Sequence, residues 1–242
     1  MKSARGLFAL IIFLSVAMLA MKPKSQVAAE PVNGAWSLSY GGHDFSLLLQ
    51  DGYCMFTQYS LADKKFVLTT GGPYTIENGK INITIQFNSA DKSAVGKTQQ
   101  YNYTLSGNEL TTIVDAVKLT WKRVDAGDEN LAGNWRIVQR RQGDKMVDMP
   151  LRSRRTLKLL TATRFQWAAI NIETGEFSGT GGGTYTFKDG QYTEHIAFFS
   201  RDSSRVGMAL SFDGKLENGQ WIHFGKSSKG DPIYEVWGRM KD

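Results

Sequence analysis

Three polar residues in the C-terminal half of the sequence have side chains that could do chemistry: Glu194, His223 and Glu235. Carboxylates and an imidazole can orient a polar ligand, and a buried glutamate with a raised pKa can act as a general base. A neutral imidazole with two carboxylates can also bind zinc or iron. Because the three residues lie on separate segments with no local pair of metal ligands, the metal interpretation is the weaker one and no metal or other cofactor is predicted.

An internal repeat makes these residues stand out. The segment TGGPYTIENGKINITIQF is echoed by TGGGTYTFKDGQYTEHIAFF, with Tyr74 matching Tyr185 at an offset of 111 residues. At the matching positions the first half carries apolar or small residues: Ile83 in place of Glu194, Thr112 in place of His223 and Leu119 in place of Glu235. Strand alternation puts His223 and Glu235 on the faces of Trp221 and Trp237, which predicts that both point inward.

Four aromatic residues are predicted to complete a pocket around these polar groups: Phe165, Trp167, Tyr185 and Tyr192. Ligand sites commonly combine an aromatic lining with a few polar groups. The alternative is an internal hydrogen-bonded network, for example one in which Glu235 pairs with an arginine or a tyrosine. The sequence leaves both interpretations open.

The elements that must position these side chains are short β-strands. Polar and apolar residues alternate in 84–87 and in 101–105, and no strong amphipathic helix is visible. Asn-Gly or Asp-Gly pairs at 78–79, 189–190 and 218–219 are typical of two-residue hairpins. Short strands joined by tight turns indicate small closed antiparallel barrels, since closure removes exposed sheet edges. The predicted fold class is all-β.

Each copy of the repeat begins at a Gly-x-Trp and ends at a Trp-x-Arg. The first copy runs from Gly34-Ala35-Trp36 to Trp121-Lys122-Arg123, and the second from Gly133-Asn134-Trp135 to Trp237-Gly238-Arg239. The stretch DAGDENL between them is polar and has no pattern. We therefore predict a first barrel over 30–124, a linker over 125–131 and a second barrel over 132–242.

These signatures resemble the lipocalin or calycin superfamily. In that group a tryptophan on the first strand packs against an arginine on the last strand and closes the barrel floor, and the matching pairs here are Trp36 with Arg123 and Trp135 with Arg239. The segments GGGTYTF, QWIHFGK and YEVWGRMK resemble an uncharacterised family of secreted bacterial lipocalin-like domains. The resemblance implies two tandem up-and-down barrels, each shorter than a typical lipocalin, and it supplies a fold rather than a function.

The glycine run at 181–183 raises the separate question of a phosphate-binding loop. Such a loop must lie between a strand and the N-terminus of a helix, whose amides hold the anion. Here Tyr185-Thr186-Phe187 continues as a strand into the Asp189-Gly190 turn. The run is therefore predicted to mark a bend or bulge at a barrel corner.

The N-terminus has the pattern of an export signal. Lys2 and Arg5 precede an apolar run, which predicts a signal peptide over 1–29 and a periplasmic or secreted protein, with an uncleaved inner-membrane anchor as the alternative. Removing these residues lowers the net charge from +6 to +2, with −3 over 30–131 and +5 over 132–242. Nucleic acid is not an expected partner of such a protein.

A basic segment runs from Arg136 to Arg164, with nine Lys or Arg residues against Asp144 and Asp148. We predict that it forms a loop near a barrel mouth. Such a loop can attract anionic ligands, the headgroups at a membrane surface or an acidic partner, or it can be a solvated lid.

The leading functional hypothesis is non-catalytic binding of a small, partly apolar ligand, which can also be anionic, in the second barrel. The alternative is an interaction or structural module of the cell envelope, with solid-packed barrels that bind a partner protein. A third hypothesis, an enzyme that uses Glu194 or Glu235 as a general base, requires a carboxylate with a raised pKa beside an open cavity. No nucleophile lies in a recognisable catalytic motif, and Cys54 is the only cysteine.

Overall fold

The computed structural model describes residues 32–226 and 230–240. The predicted signal segment, 1–29, lies outside these residues. Among the described residues, no helix is long and apolar enough to cross a membrane. The chain is all-β, with two short 3₁₀ helices at Lys92–Ala94 and Ser203–Arg205 that occupy matching places in the two halves.

The first half folds into a closed antiparallel barrel of eight strands, counted over the described residues. Its strand segments are β1 (Gly34–Tyr40), β2 (His43–Gln50), β3 (Tyr53–Ser60), β4 (Lys65–Glu77), β5 (Lys80–Thr84), β6 (Phe87–Asn88), β7 (Thr98–Ser106), β8 (Glu109–Val114) and β9 (Val117–Asp125). The short β6 pairs with β4 just as β5 does, so the two make one interrupted strand. Pairing of β1 with β9 closes the barrel.

The second half repeats this arrangement over 133–239. Its segments are β10 (Gly133–Gln142), β11 (Lys145–Asp148), β12 (Arg154–Leu160), β13 (Arg164–Asn171), β14 (Glu176–Lys188), β15 (Gln191–Phe199), β16 (Ala209–Glu217), β17 (Gln220–Lys226) and β18 (Pro232–Arg239). Pairing of β10 with β18 closes an eight-stranded barrel, and β11 is an extra hairpin strand on the far end of β10. The predicted all-β tandem-barrel fold is confirmed.

Local sequence explains the strand connections. The predicted turns lie between β4 and β5, between β14 and β15, and between β16 and β17. Their first residues, Asn78, Asp189 and Asn218, have φ of 52°, 53° and 53°, and each is followed by a glycine that also has positive φ. This is the type I′ geometry that Asn-Gly and Asp-Gly favour. The predicted hairpins are therefore confirmed.

A guanidinium covers an indole at one end of each barrel. The Arg123 Cζ lies 4.1 Å from the centre of the Trp36 ring, and the Arg239 Cζ lies 4.5 Å from that of Trp135. Arg239 also donates to the carbonyl of Ala132 at 2.6 Å. Each arginine therefore joins the last strand to the chain that enters the first strand, where the resemblance implied closure.

The two barrels pack against each other through outward-facing residues. A buried cluster joins Ala35, Leu48, Tyr53, Met55 and Phe87 of the first barrel to Leu157, Leu159, Ala168 and Ile170 of the second. Asp125, at the start of the predicted linker, accepts hydrogen bonds from Thr161 and Thr163 in the turn between β12 and β13. The interface thus has an apolar core and a polar edge.

A fully buried glutamine crosses this interface. Gln166 Nε2 donates to Thr69 Oγ1 at 2.9 Å and to Thr180 Oγ1 at 3.1 Å, and Gln166 Oε1 accepts from Thr57 Oγ1 at 2.9 Å. Replacing Gln166 with alanine is expected to cost about 1–3 kcal/mol, because buried hydroxyls lose partners. Urea unfolding followed by tryptophan fluorescence measures this loss. Gln191→Ala, at an exposed position of the second barrel, is the control, and equal stabilities for the two variants would contradict the prediction.

Candidate functional site

The interior of the first barrel contains a cavity of about 200 Å³. The buried part of its wall is almost entirely apolar and includes Leu47, Leu49, Cys54, Ile81, Ile83 and Ile85. Half-buried residues mark its opening, among them Phe56, Gln99, Tyr101, Val114 and Leu119. The cavity therefore has an apolar base and a mouth lined by both polar and apolar residues.

Two hydrogen bonds join polar side chains of this wall. Trp121 Nε1 donates to Thr112 Oγ1 at 3.0 Å, and the Tyr101 hydroxyl donates to Gln99 Oε1 at 2.5 Å. Burial raises the pKa of the Cys54 thiol to about 12, so this side chain stays protonated and behaves as a small apolar group. The base of the cavity thus offers a ligand apolar contact and little hydrogen bonding.

The second barrel has the same strand register with a different interior. Leu47 pairs with Trp36 on the first strand, and Lys158 pairs in the same way with Trp135, so the two positions are equivalent. Four positions change from apolar or small to polar or charged: Leu47 to Lys158, Ile83 to Glu194, Thr112 to His223 and Leu119 to Glu235. Three others gain a large aromatic ring: Cys54 to Phe165, Ile81 to Tyr192 and Leu110 to Trp221. All seven second-barrel residues are buried, so they occupy the space that is open in the first barrel.

An ion pair lies at the centre of the second barrel. Lys158 Nζ is 2.5 Å from Glu194 Oε1, and the Tyr192 hydroxyl donates to the same oxygen at 2.9 Å. Lys158 is 6% exposed and Glu194 5% exposed. Burial, together with the adjacent Glu194 carboxylate, raises the pKa of Tyr192 well above its ordinary value, so its hydroxyl remains a donor.

Aromatic rings surround the Lys158 ammonium. Its Nζ lies 5.0 Å from the centre of the Tyr192 ring, 5.3 Å from that of Trp221, and 5.5 Å from those of Phe165 and Trp237. Ring faces attract a cation and partly replace its lost hydration. The barrel thus holds its own cation in an arrangement of the kind that other proteins use for cationic ligands.

A second buried group joins Glu235 to the barrel surface. Arg140 Nη2 donates to Glu235 Oε1 at 2.7 Å, and Trp237 Nε1 donates to Glu235 Oε2 at 3.1 Å. Burial alone would raise the pKa of Glu235, but His223 and the Arg140 charge outweigh it and lower this pKa. The general-base hypothesis requires the opposite shift, so Glu235 is not suited to that role.

His223 is packed among aromatic rings beside Glu235. Its Nδ1 lies 3.6 Å from Glu235 Oε2, which is longer than a hydrogen bond, and neither ring nitrogen has a hydrogen-bond partner within the described chain. Burial is the main reason that the pKa of His223 is lowered, and the Lys158 charge acts in the same direction. The imidazole is therefore neutral at pH 7.

The structure brings together most of the residues predicted for a second-barrel pocket. Glu194, His223, Glu235 and Tyr192 meet in the interior, and Phe165 lies in the same buried cluster. The Tyr185 hydroxyl donates to the carbonyl of Thr161, and half-buried Trp167 packs on Phe199. The internal network considered as the alternative is present, since Glu235 pairs with Arg140. Binding of a ligand by these residues stays a prediction.

The sequence analysis did not identify Lys158 as the partner of Glu194 or Arg140 as the partner of Glu235, and it did not predict the cavity of the first barrel. Lys158 belongs to the basic segment, which was predicted to be a loop, but that prediction is wrong for much of its length because β10, β11 and β12 together include most of it. Lys158 lies in the run LKLL, whose four positions, 157–160, are all buried, and the repeat aligns it with Leu47. The same alignment shows that the first barrel has smaller side chains than the second at the positions around its cavity.

Within 32–226 and 230–240, no three His, Cys, Asp or Glu side chains are arranged to hold a metal ion.

Comparisons with known proteins leave the function open. Residues 130–242 match the family described as Domain of unknown function (DUF4488). A lipocalin-like protein from Bacteroides uniformis is 14% identical, with 46% of this chain and 100% of that chain covered and a TM-score of 0.32. An uncharacterized protein from Bacteroides eggerthii is also 14% identical, with 45% and 98% covered and the same TM-score of 0.32. No curated protein matches the chain. The chain consists of two tandem closed eight-stranded antiparallel barrels, each with a tryptophan of its first strand packed against an arginine of its last strand, as the resemblance to lipocalin-like domains implied.

Proposed function

We propose that the protein binds a small apolar molecule without catalysis, and that the binding site is the cavity of the first barrel rather than the second barrel. The cavity of about 200 Å³ carries this proposal. A cavity of about 150 Å³ lined by Leu, Ile and Phe can stay dry and bind benzene. The ligand class is therefore a one-ring or two-ring aromatic compound or a short alkyl chain.

The residues at the mouth of the cavity indicate a second property of the ligand, a polar end. Gln99 and Tyr101 lie at the opening and hydrogen-bond each other, which leaves the amide nitrogen of Gln99 available as a donor. A ligand with one polar end can keep that end at the mouth while its apolar part occupies the base. The signal-like segment at 1–29 supports a site of action in the periplasm or outside the cell.

Filling the cavity tests the proposal. Cys54→Phe introduces the side chain that Phe165 provides at the equivalent place in the second barrel, where it is fully buried. The variant is expected to weaken the binding of indole, measured by titration calorimetry, about tenfold or more, because the added ring occupies the volume of the ligand. Cys54→Ala removes the thiol without filling the cavity and is expected to bind as the wild type does. Equal binding by the Phe and Ala variants, or no binding of indole by the wild type, would contradict this site.

The second barrel favours another class of function. Its interior is occupied by Lys158, Glu194, Tyr192 and Trp221, all of them buried. A filled barrel presents its outer surface rather than its interior to a partner. A structural or interaction role for the second domain is therefore the second candidate.

A further inference from the structure

An arginine-rich groove lies on the outside of the second barrel. Its volume is about 530 Å³, within the range of sites for small ligands. Six arginines line it: Arg136, Arg140, Arg152, Arg154, Arg155 and Arg201. They come from β10, from β12 and the connection that precedes it, and from the turn after β15. The fold thus gathers on one surface charges that are up to 65 residues apart in the sequence.

These charges are largely uncompensated. Among the described residues that line the groove there is no Asp or Glu. Of the six arginines, only Arg140 forms an ion pair within the described part of the chain, and its partner Glu235 belongs to the barrel interior.

Backbone carbonyls hold three of the guanidinium groups in place. Arg136 Nη1 donates to the carbonyl of Met149 at 2.8 Å, Arg155 Nε to that of Arg152 at 2.9 Å, and Arg201 Nε to that of Ser178 at 2.6 Å. A guanidinium has five N–H donors, so each of these groups keeps several donors for a ligand. Because a carbonyl carries no net charge, the positive potential of the groove remains.

We propose that this groove binds a multiply charged phosphate group. Clustered arginines repel one another, and a multivalent anion relieves that repulsion. The planar guanidinium matches the oxygens of phosphate through two parallel hydrogen bonds. Ile137, Met149 and Leu151 also line the groove, so the phosphate-bearing molecule has an apolar portion beside the charged one. Two sources have this chemistry: a soluble phosphate ester and the headgroup of an anionic lipid.

Two substitutions test the groove with little structural cost. The side chains of Arg152 and Arg154 are exposed and form no ion pair or hydrogen bond within the described part of the chain. The double variant Arg152→Gln/Arg154→Gln is therefore expected to fold normally. The matched control is Lys118→Gln/Lys122→Gln, which removes the same charge from exposed positions of the first barrel. Thermal unfolding of both variants verifies their folding.

The probes are inorganic pyrophosphate, by titration calorimetry, and phosphatidylcholine vesicles with and without phosphatidic acid, by cosedimentation. The groove variant is expected to bind about tenfold more weakly than the wild type and the control, since hydrogen bonds to charged groups are lost. Binding of pyrophosphate by the wild type supports a soluble ester, and binding only to vesicles with phosphatidic acid supports a lipid headgroup. Binding to neither probe, or equal binding by the groove and control variants, overturns the proposal. Because the cavity of the first barrel is untouched, indole binding reports separately on that site.

Discussion

Replacing Lys158 with methionine is expected to lower the unfolding free energy of the second barrel by about 3–5 kcal/mol. The substitution leaves the Glu194 carboxylate in the interior with only the Tyr192 hydroxyl as a partner. An uncompensated buried charge is among the most costly defects in a folded protein, because water solvates the carboxylate far better than the rings around it can. Calorimetric unfolding at pH 7 measures the loss.

The first barrel indicates how this loss can be reversed. There the equivalent positions are Leu47 and Ile83, which lie in an apolar wall. The double variant Lys158→Leu/Glu194→Ile reproduces that pair and removes both charges together. It is expected to be more stable than the Lys158→Met variant, since replacing a complete buried ion pair with apolar residues is often neutral or stabilising.

Comparing the single and double variants distinguishes the energy of the Lys158–Glu194 ion pair from the effect of a change in packing. The cycle also needs the single variants Lys158→Leu and Glu194→Ile. If the double variant loses about the sum of these two single losses, the energetic coupling between Lys158 and Glu194 is absent and the prediction is wrong. Arg205→Gln, which removes the half-buried partner of the exposed Asp202, serves as a control for the loss of an ion pair at the surface and is expected to cost much less than Lys158→Met.

The fold was predictable because its signals are local. The turn at Asn78-Gly79 has positive φ at two successive residues, and Asn followed by Gly is the residue pair that favours this geometry. Period-two alternation then assigns one face of each strand to the interior, and the repeat predicts the same fold for both halves. Predicting the contact of Trp36 with Arg123 also required the family resemblance, because these two residues are 87 positions apart in the sequence.

The site was less predictable because it depends on distant pairs and on volume. The alternative network was anticipated for Glu235, but its partner Arg140 and the Glu194 partner Lys158 come from remote strands. The basic segment appeared to be a surface feature, although one of its charges is a core residue. The cavity forms because several interior side chains of the first barrel are small, and no sequence motif marks such a site. It becomes visible only when Cys54 is compared with Phe165, and Ile81 with Tyr192, across aligned strands.

The glycine run at 181–183 is a packing feature of strand β14. A Cβ added to Gly183 would lie 2.0 Å from the carbonyl oxygen of His195 and 2.8 Å from the amide nitrogen of Ala197, both of them backbone atoms of β15. The register of β14 against β15 shifts between Gly182 and Gly183, which confirms the predicted bulge. All three glycines are buried, and the strand continues beyond them into Tyr185. Close approach of two strands therefore accounts for the residue type.

Gly183→Ala is accordingly expected to destabilise the second barrel by about 3 kcal/mol or more, because β15 must move as a unit to admit the methyl group. The informative control is Gly207→Ala. Gly207 has a φ of +91° with nothing within 4 Å of an added Cβ, so this substitution imposes backbone strain without a clash. It is expected to cost about 1–2 kcal/mol. Urea unfolding measures both losses, and a Gly183→Ala variant no less stable than the Gly207→Ala variant would show that β14 and β15 do not approach this closely. The expected order would mean that the close approach of β14 and β15 requires glycine at position 183.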